Sequence, residues 1–118
     1  MKLVVNAVVA GLSAALSEAL VLAEKAGLDR TTTYDVLESS AVAAPFVKYK
    51  RAAFVDPESA AVAFSLALAK KDLDLIAHLA SQVGARMDQS AATRALVTEA
   101  VASGLADADI SALAAYLR

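Results

Sequence analysis

An all-α fold, a single domain of about six helices built around a long apolar N-terminal helix, is predicted for this 118-residue chain by three observations. Alanine, leucine and valine dominate the composition, which favours helix. Only 4 glycines and 2 prolines interrupt it, too few for a turn-rich β fold. Apolar residues also recur at the helical period over long stretches. The length suits one domain that buries a continuous core without staples, so residues 1–118 are read as one unit.

The first helix is expected from Lys2 to about Ala26, with Lys25 favourably placed near its end and Gly27 as the left-handed stop. Leu3, Val4, Val5, Val8, Val9, Leu12, Leu16, Leu20 and Leu22 clothe it nearly all round. Other helices or another subunit should therefore pack on several of its sides. Asp29 followed by Arg30 and three threonines looks like a helix entry, giving a short second helix to Ser39 or Ser40 with Tyr34, Val36 and Leu37 inward.

Pro45 opens a third helix to Ala52, which Asp56-Pro57 closes off; its basic cluster of Lys48, Lys50 and Arg51 reads as a solvated face, with contact to an anionic ligand as the alternative. A fourth helix opens around Phe64 and ends at Gly84, with Leu68, Leu75, Ile76, Leu79 and Val83 as the expected inward stripe. Asp88 is expected to cap a fifth helix through Ser103, with Leu96, Val97, Ala100 and Val101 inward and Gly104 as its stop. Asp109 caps the last helix, Ile110 to about Leu117.

Charge and composition remove several function classes. With 58% hydrophobic and 20% charged residues and a net charge of −2, the chain is neither disordered nor a nucleic-acid binder. Having no cysteine, it has no disulfide, thiolate zinc site or thiol nucleophile, which fits a reducing, cytoplasmic setting. Asn6, Ser13 and Glu18 interrupt the first apolar run, so it reads as part of the fold and not as a membrane span or signal peptide. His78 sits among Leu75, Ile76 and Leu79 with no second histidine in the chain, so no metal site is expected. Ser13, Ser17 and Ser65 lack a histidine partner at a recognisable spacing, and Tyr34, Tyr49 and Tyr116 are too scattered for a base-stacking surface.

The pattern with most chemistry is Lys2 and Asn6, four residues apart on one face at the mouth of the apolar helix. A lysine and an amide so placed can hold an oxygen-rich substrate and exchange a proton with it. Four fragments follow in order: Ser17-Glu18-Ala19-Leu20 leading to Ala23-Glu24-Lys25-Ala26-Gly27-Leu28-Asp29; Phe64 with Leu68; Lys71-Asp72-Leu73; and Gly104 with Asp109-Ile110-Ser111-Ala112.

Together these resemble the C-terminal helical domain of the 3-hydroxyisobutyrate dehydrogenase family of β-hydroxyacid dehydrogenases, a 6-phosphogluconate dehydrogenase C-terminal-domain-like fold. The resemblance implies a catalytic role for Lys2, passing a proton to or from the substrate oxygen while hydride moves to or from a nicotinamide. It implies a substrate-holding role for Asn6 and a cofactor-side position for Lys71 and Phe64. It further implies NAD or NADP as cofactor, a small hydroxy acid as substrate, an N-terminal Rossmann domain as partner, and a homodimer.

Read without the resemblance, Phe64 is a core residue, Lys70 to Asp74 a charged helix face, and Asp72 a structural residue orienting a neighbouring loop or helix end. No Gly-x-Gly-x-x-Gly occurs in the 118 residues, so the pyrophosphate grip of a Rossmann domain is missing. With Met1 directly before the Lys2–Asn6 pair, the expectation is a domain separated from its cofactor half and inactive alone. The alternative is a stand-alone helical module that forms homo-oligomers without catalysis.

Overall fold

The computed structural model describes residues 1–118 and is all-helical, with seven α-helices and no strands. The first, α1 (Lys2–Lys25), has 24 residues and so is about 36 Å long at 1.5 Å per residue, in a molecule of 43 × 33 × 25 Å. Its end is set locally. Gly27 takes φ 86°, its N–H donates to the Glu24 carbonyl at 3.0 Å, and the Leu28 N–H reaches back to the Ala23 carbonyl at 2.9 Å. This reciprocal closure satisfies carbonyls that a helix end otherwise leaves open.

Asp29 accepts from the Thr32 N–H at 2.8 Å and starts α2 (Arg30–Ser39) as its capping residue. The expected third helix is two: α3 (Pro45–Tyr49) and α4 (Arg51–Val55), hinged at Lys50. Lys50 corrects the solvated reading of its cluster, being buried with its ammonium 2.8 Å from both oxygens of Asp109. Ser65, not Phe64, caps α5 (Leu66–Val83), its hydroxyl accepting from the Leu68 N–H at 3.2 Å, and Gly84 ends it.

Met87 holds the cap position of α6 (Asp88–Ala100), so Asp88 is its first residue and not its cap; it pairs instead with Arg86. The helix then widens into a π-type turn over Val101–Leu105, where Gly104 at φ 101° supplies a conformation other residues rarely adopt. Asp109 introduces a 3₁₀ turn, Ile110–Ala112, that runs into α7 (Leu113–Leu117).

α1 packs against α5, α6, α7 and α2 and organises two cores along its length. Its first half gives Ala10 and Ala14 to a cluster with Leu66, Ala69, Leu73, Ile76, Val97, Ala100, Ile110 and Leu113. The second half gives Leu16, Leu20 and Val21 to a cluster with Tyr34, Val47, Phe54 and Ala114. Ser13 and Ser17 are buried too, their hydroxyls donating to the Val9 and Ser13 carbonyls one turn back. By length and composition α1 could cross a bilayer, yet these residues face the protein's own interior.

Two apolar expectations are corrected. The inward row of α5 is Leu66, Ala69, Leu73 and Ile76, whereas Leu68, Leu75, Leu79 and Val83 are exposed. Both rows have helical spacing and share the region of Ile76; the buried one carries Ala69, which packs in one cluster with Ala10 and Ala14 of α1. His78 is likewise exposed. On α1 itself Val4, Val5, Val8 and Leu22 are exposed, so the helix is covered on some sides only.

Candidate active site at the start of the long helix

The first turns of α1 lie beside the first turns of α5, which brings Lys2 and Asn6 against Asp72. The Asn6 Nδ2 donates to Asp72 Oδ2 at 2.6 Å, and the Lys2 Nζ lies 3.8 Å from the same oxygen. Lys2 is open, with 78% of its side chain exposed, while Asp72 shows 9%. One buried carboxylate therefore sits beneath an exposed ammonium and a hydrogen-bonded amide.

Beside this group is an open cleft of about 330 Å³, walled by Lys2, Asn6 and Val9 of α1, by Phe46, Tyr49 and Lys50, and by Ala63, Phe64 and Leu68. Its size is near the lower end of the roughly 300–1,000 Å³ range of ligand sites, which suits a small acid. Phe64 is half-buried and packs against the first core cluster, so it is both cleft wall and core edge. Lys71 is exposed on α5, makes no salt bridge within 4 Å and does not line the cleft. The structure thus brings Lys2, Asn6 and Phe64 together and leaves Lys71 outside them.

Behind the cleft, Asp109 accepts from Lys50 with both oxygens, from the Ala63 and Phe64 N–H groups at 3.0 and 3.2 Å, and from the Ser111 N–H at 3.0 Å. Burial pushes its carboxyl upward, but the Lys50 ammonium and the three backbone donors outweigh burial and hold it below the usual carboxylate range. Lys50 spends its charge on this pair, which leaves Lys2 as the unburied ammonium at the cleft.

Lys50 departs from its sequence expectation, and Asp72 has the structural role expected of it with partners the sequence does not name. Asp72 stands four positions after Leu68 on α5, a spacing that puts both on one side of the helix and could have marked it as a cleft neighbour. It holds Asn6 and lies near Lys2 at the start of α1, a neighbouring helix end as expected of it. Nothing local marks Lys50, whose partner is 59 residues away.

A family model described as "NAD-binding of NADP-dependent 3-hydroxyisobutyrate dehydrogenase" matches residues 1–117, all but the last residue. The chain belongs to the 3-hydroxyisobutyrate dehydrogenase family. This dehydrogenase-family domain is 35% identical over 113 residues to glyoxylate/succinic semialdehyde reductase 1 of Arabidopsis thaliana, covering 96% of the chain and 39% of that relative. It is 32% identical over 118 residues to the chloroplastic reductase 2 of the same plant, covering 100% of the chain and 33% of the relative.

The structure of Mycobacterium tuberculosis 3-hydroxyisobutyrate dehydrogenase with L-serine superposes with a TM-score of 0.85 at 28% identity, over 99% of this chain and 42% of that one. The Salmonella typhimurium 3-hydroxyisobutyrate dehydrogenase has the same fold, with a TM-score of 0.90 at 23% identity over 98% of this chain and 40% of that one. The family domain therefore spans between a third and about two-fifths of the length of these relatives.

Tested against a nicotinamide dinucleotide, the domain offers one wall. Phe64 gives the cleft an apolar face and Lys2 and Asn6 a polar one, which fits the reacting end of the cofactor. The sequence holds no glycine-rich turn for a pyrophosphate.

Proposed function

We propose that this chain is the helical, substrate-side domain of an NAD(P)-dependent β-hydroxyacid dehydrogenase that reversibly oxidises a small 3-hydroxy acid, such as 3-hydroxyisobutyrate, to its semialdehyde. The observation that carries this reading is the meeting of Lys2 and Asn6 on one Asp72 oxygen at the edge of a small cleft. The family's NAD-binding description and the reductase names of the relatives support it. When bound, the nicotinamide supplies or accepts the hydride.

In the reductive direction the exposed Lys2 ammonium donates a proton to the carbonyl oxygen as it gains charge, and in the oxidative direction the same nitrogen takes the hydroxyl proton. Asp72 keeps that ammonium near the cleft without tying it down, since 3.8 Å is looser than a direct hydrogen bond. Asn6 commits one N–H to Asp72 and retains a second N–H and its carbonyl oxygen for substrate. Phe64 excludes water from one side, and Lys71 offers its charge to cofactor phosphate from outside the cleft.

An N-terminal Rossmann domain would supply the pyrophosphate grip, and the chain by itself is expected to turn nothing over. Isothermal titration of the isolated chain with NADH and NADPH should show no tight binding. The decisive test joins the chain to such a domain and replaces Lys2 by Ala. Turnover should fall by about 10²–10⁴-fold, the worth of one positioned acid–base group, and survival near the original rate sinks the assignment.

A second reading, a helical homo-oligomerisation module, is favoured by the surface between α1 and α5. There Leu3, Val4, Ala7, Val8, Leu79 and Val83 belong to a cleft of about 370 Å³ lined only by apolar residues. A homodimer through this face is compatible with the enzyme reading, and a monomer by light scattering at high concentration counts against it. The cysteine-free composition supports a cytoplasmic setting for either.

A further inference from the structure

We propose that Lys50 and Asp109 are positioning residues that set the width of the Lys2–Asn6 cleft by pinning its two outer walls together. This rests on the reading of that cleft as a dehydrogenase substrate site. One wall is the α3–α4 hinge, where Phe46 and Tyr49 precede Lys50; the other is the bend before α5, where Ala63 and Phe64 sit. Along the chain they are separated by α4 and residues 56–62. The Asp109 carboxylate bridges them directly, holding the Lys50 ammonium at 2.8 Å and both wall amides at 3.0 and 3.2 Å.

The pin is anchored at its base as well. Asp109 lies opposite Ser65 in an isolated antiparallel bridge, with the Ile110 N–H donating to the Phe64 carbonyl at 2.8 Å and the Leu66 N–H to the Ala108 carbonyl at 2.9 Å. The Phe64 backbone is thus gripped at its N–H by the carboxylate and at its C=O by the chain that follows. Lys50 is 3% exposed, so this ammonium cannot serve the substrate directly; its effect reaches the cleft through Asp109.

A buried ion pair is often replaceable by apolar residues without loss of stability, whereas the bonds of Asp109 to Lys50 and to both wall amides fix a geometry that an apolar pair would not. Breaking it from the lysine side should release the Phe64 wall while leaving Lys2, Asn6 and Asp72 in place. The distinction from general destabilisation is made with a core variant that does not line the cleft. Val97 is fully buried in the first core cluster, and Val97→Ala serves as that control.

The test compares Lys50→Met, Lys50→Arg and Val97→Ala. In the isolated chain, amide hydrogen exchange at Ala63 and Phe64 should quicken about tenfold more in Lys50→Met than in Val97→Ala, after correction for each variant's overall stability. Equal protection in the two overturns the pin. In the chain joined to a Rossmann half, Lys50→Met should raise KM for the hydroxy acid about tenfold with kcat nearly kept, Lys50→Arg should recover most of it, and Val97→Ala should leave KM unchanged. If Lys50→Met and Val97→Ala behave alike while Lys2→Ala is dead, the inference fails and the dehydrogenase reading stands. If Lys2→Ala remains active, that reading fails, and the exchange experiment alone decides the pin.

Discussion

Asp72 serves two neighbours of unequal worth. Its contact with Asn6 is short, mostly buried and involves a charged acceptor, a class worth about 1.5–3 kcal/mol. Its contact with Lys2 is long and exposed on the lysine side, a class worth about 0–1 kcal/mol. Asp72→Ala is therefore expected to cost about 2 kcal/mol in urea unfolding and Lys2→Ala less than about 0.5 kcal/mol. Equal losses would mean that the ammonium is held more firmly than its exposure suggests. The order reverses for activity, where Lys2 should matter most. The spacing of Lys2 and Asn6 was legible in the sequence because a helix sets it within one turn. Their attachment to Asp72, 66 positions from Asn6, was not, since only the packing of α1 on α5 creates it.

Element boundaries follow mainly from short-range chemistry, which is why Asp29, Gly27, Gly84 and Asp109 can be recognised as starts and stops from the sequence alone. Gly27 gives a clean measurement of this local control. A Cβ placed there meets nothing within 4 Å, so the cost of Gly27→Ala comes from the backbone at φ 86° and not from a clash. Thermal unfolding should report a loss of about 1–2 kcal/mol, the penalty for a side chain in a left-handed conformation. No measurable loss would show that the closing turn relaxes into another shape. Inward faces are less legible, as α5 demonstrates. Both of its rows carry large apolar residues, and only the packing on α1 decides that the row with Ala69 turns inward. The split at Lys50 escaped for a related reason, because a distant carboxylate holds that turn.

Across the whole molecule, carboxylates tie distant parts of the chain together. Hydrogen bonds from Arg118, and then from Arg30, pull the Glu24 carboxyl down from 4.5 to about 2 against the opposing effect of burial, linking the end of α1 to the start of α2 and to the residue after α7. Asp109, also held low, links the α3–α4 hinge to the chain before α5. Both groups are lower in the folded state than in the unfolded one, so their stabilisation is present above the ordinary carboxylate range and is lost as pH falls through it, for Glu24 down to about 2. Urea midpoints should accordingly drop between pH 4.5 and 2, and Glu24→Gln should flatten that limb. An unchanged slope in Glu24→Gln would remove Glu24 as a source of acid sensitivity.

The carboxylate of Asp109 also bears on the order in which the chain assembles. Its bonds to Ala63 and Phe64 join segments 46 and 45 residues apart, with all of α5 and α6 between them. Closing so long a loop is entropically costly until α5 and α6 have already folded back on each other through their short connection at Gly84–Met87. The clasp should then form after the transition state and open early in escape from the native state. Stopped-flow measurements on Asp109→Asn are expected to show a faster unfolding limb with the refolding limb almost unmoved. A slowed refolding limb would instead place the clasp in the folding nucleus, and the residue that shapes the cleft would also be one that starts the fold.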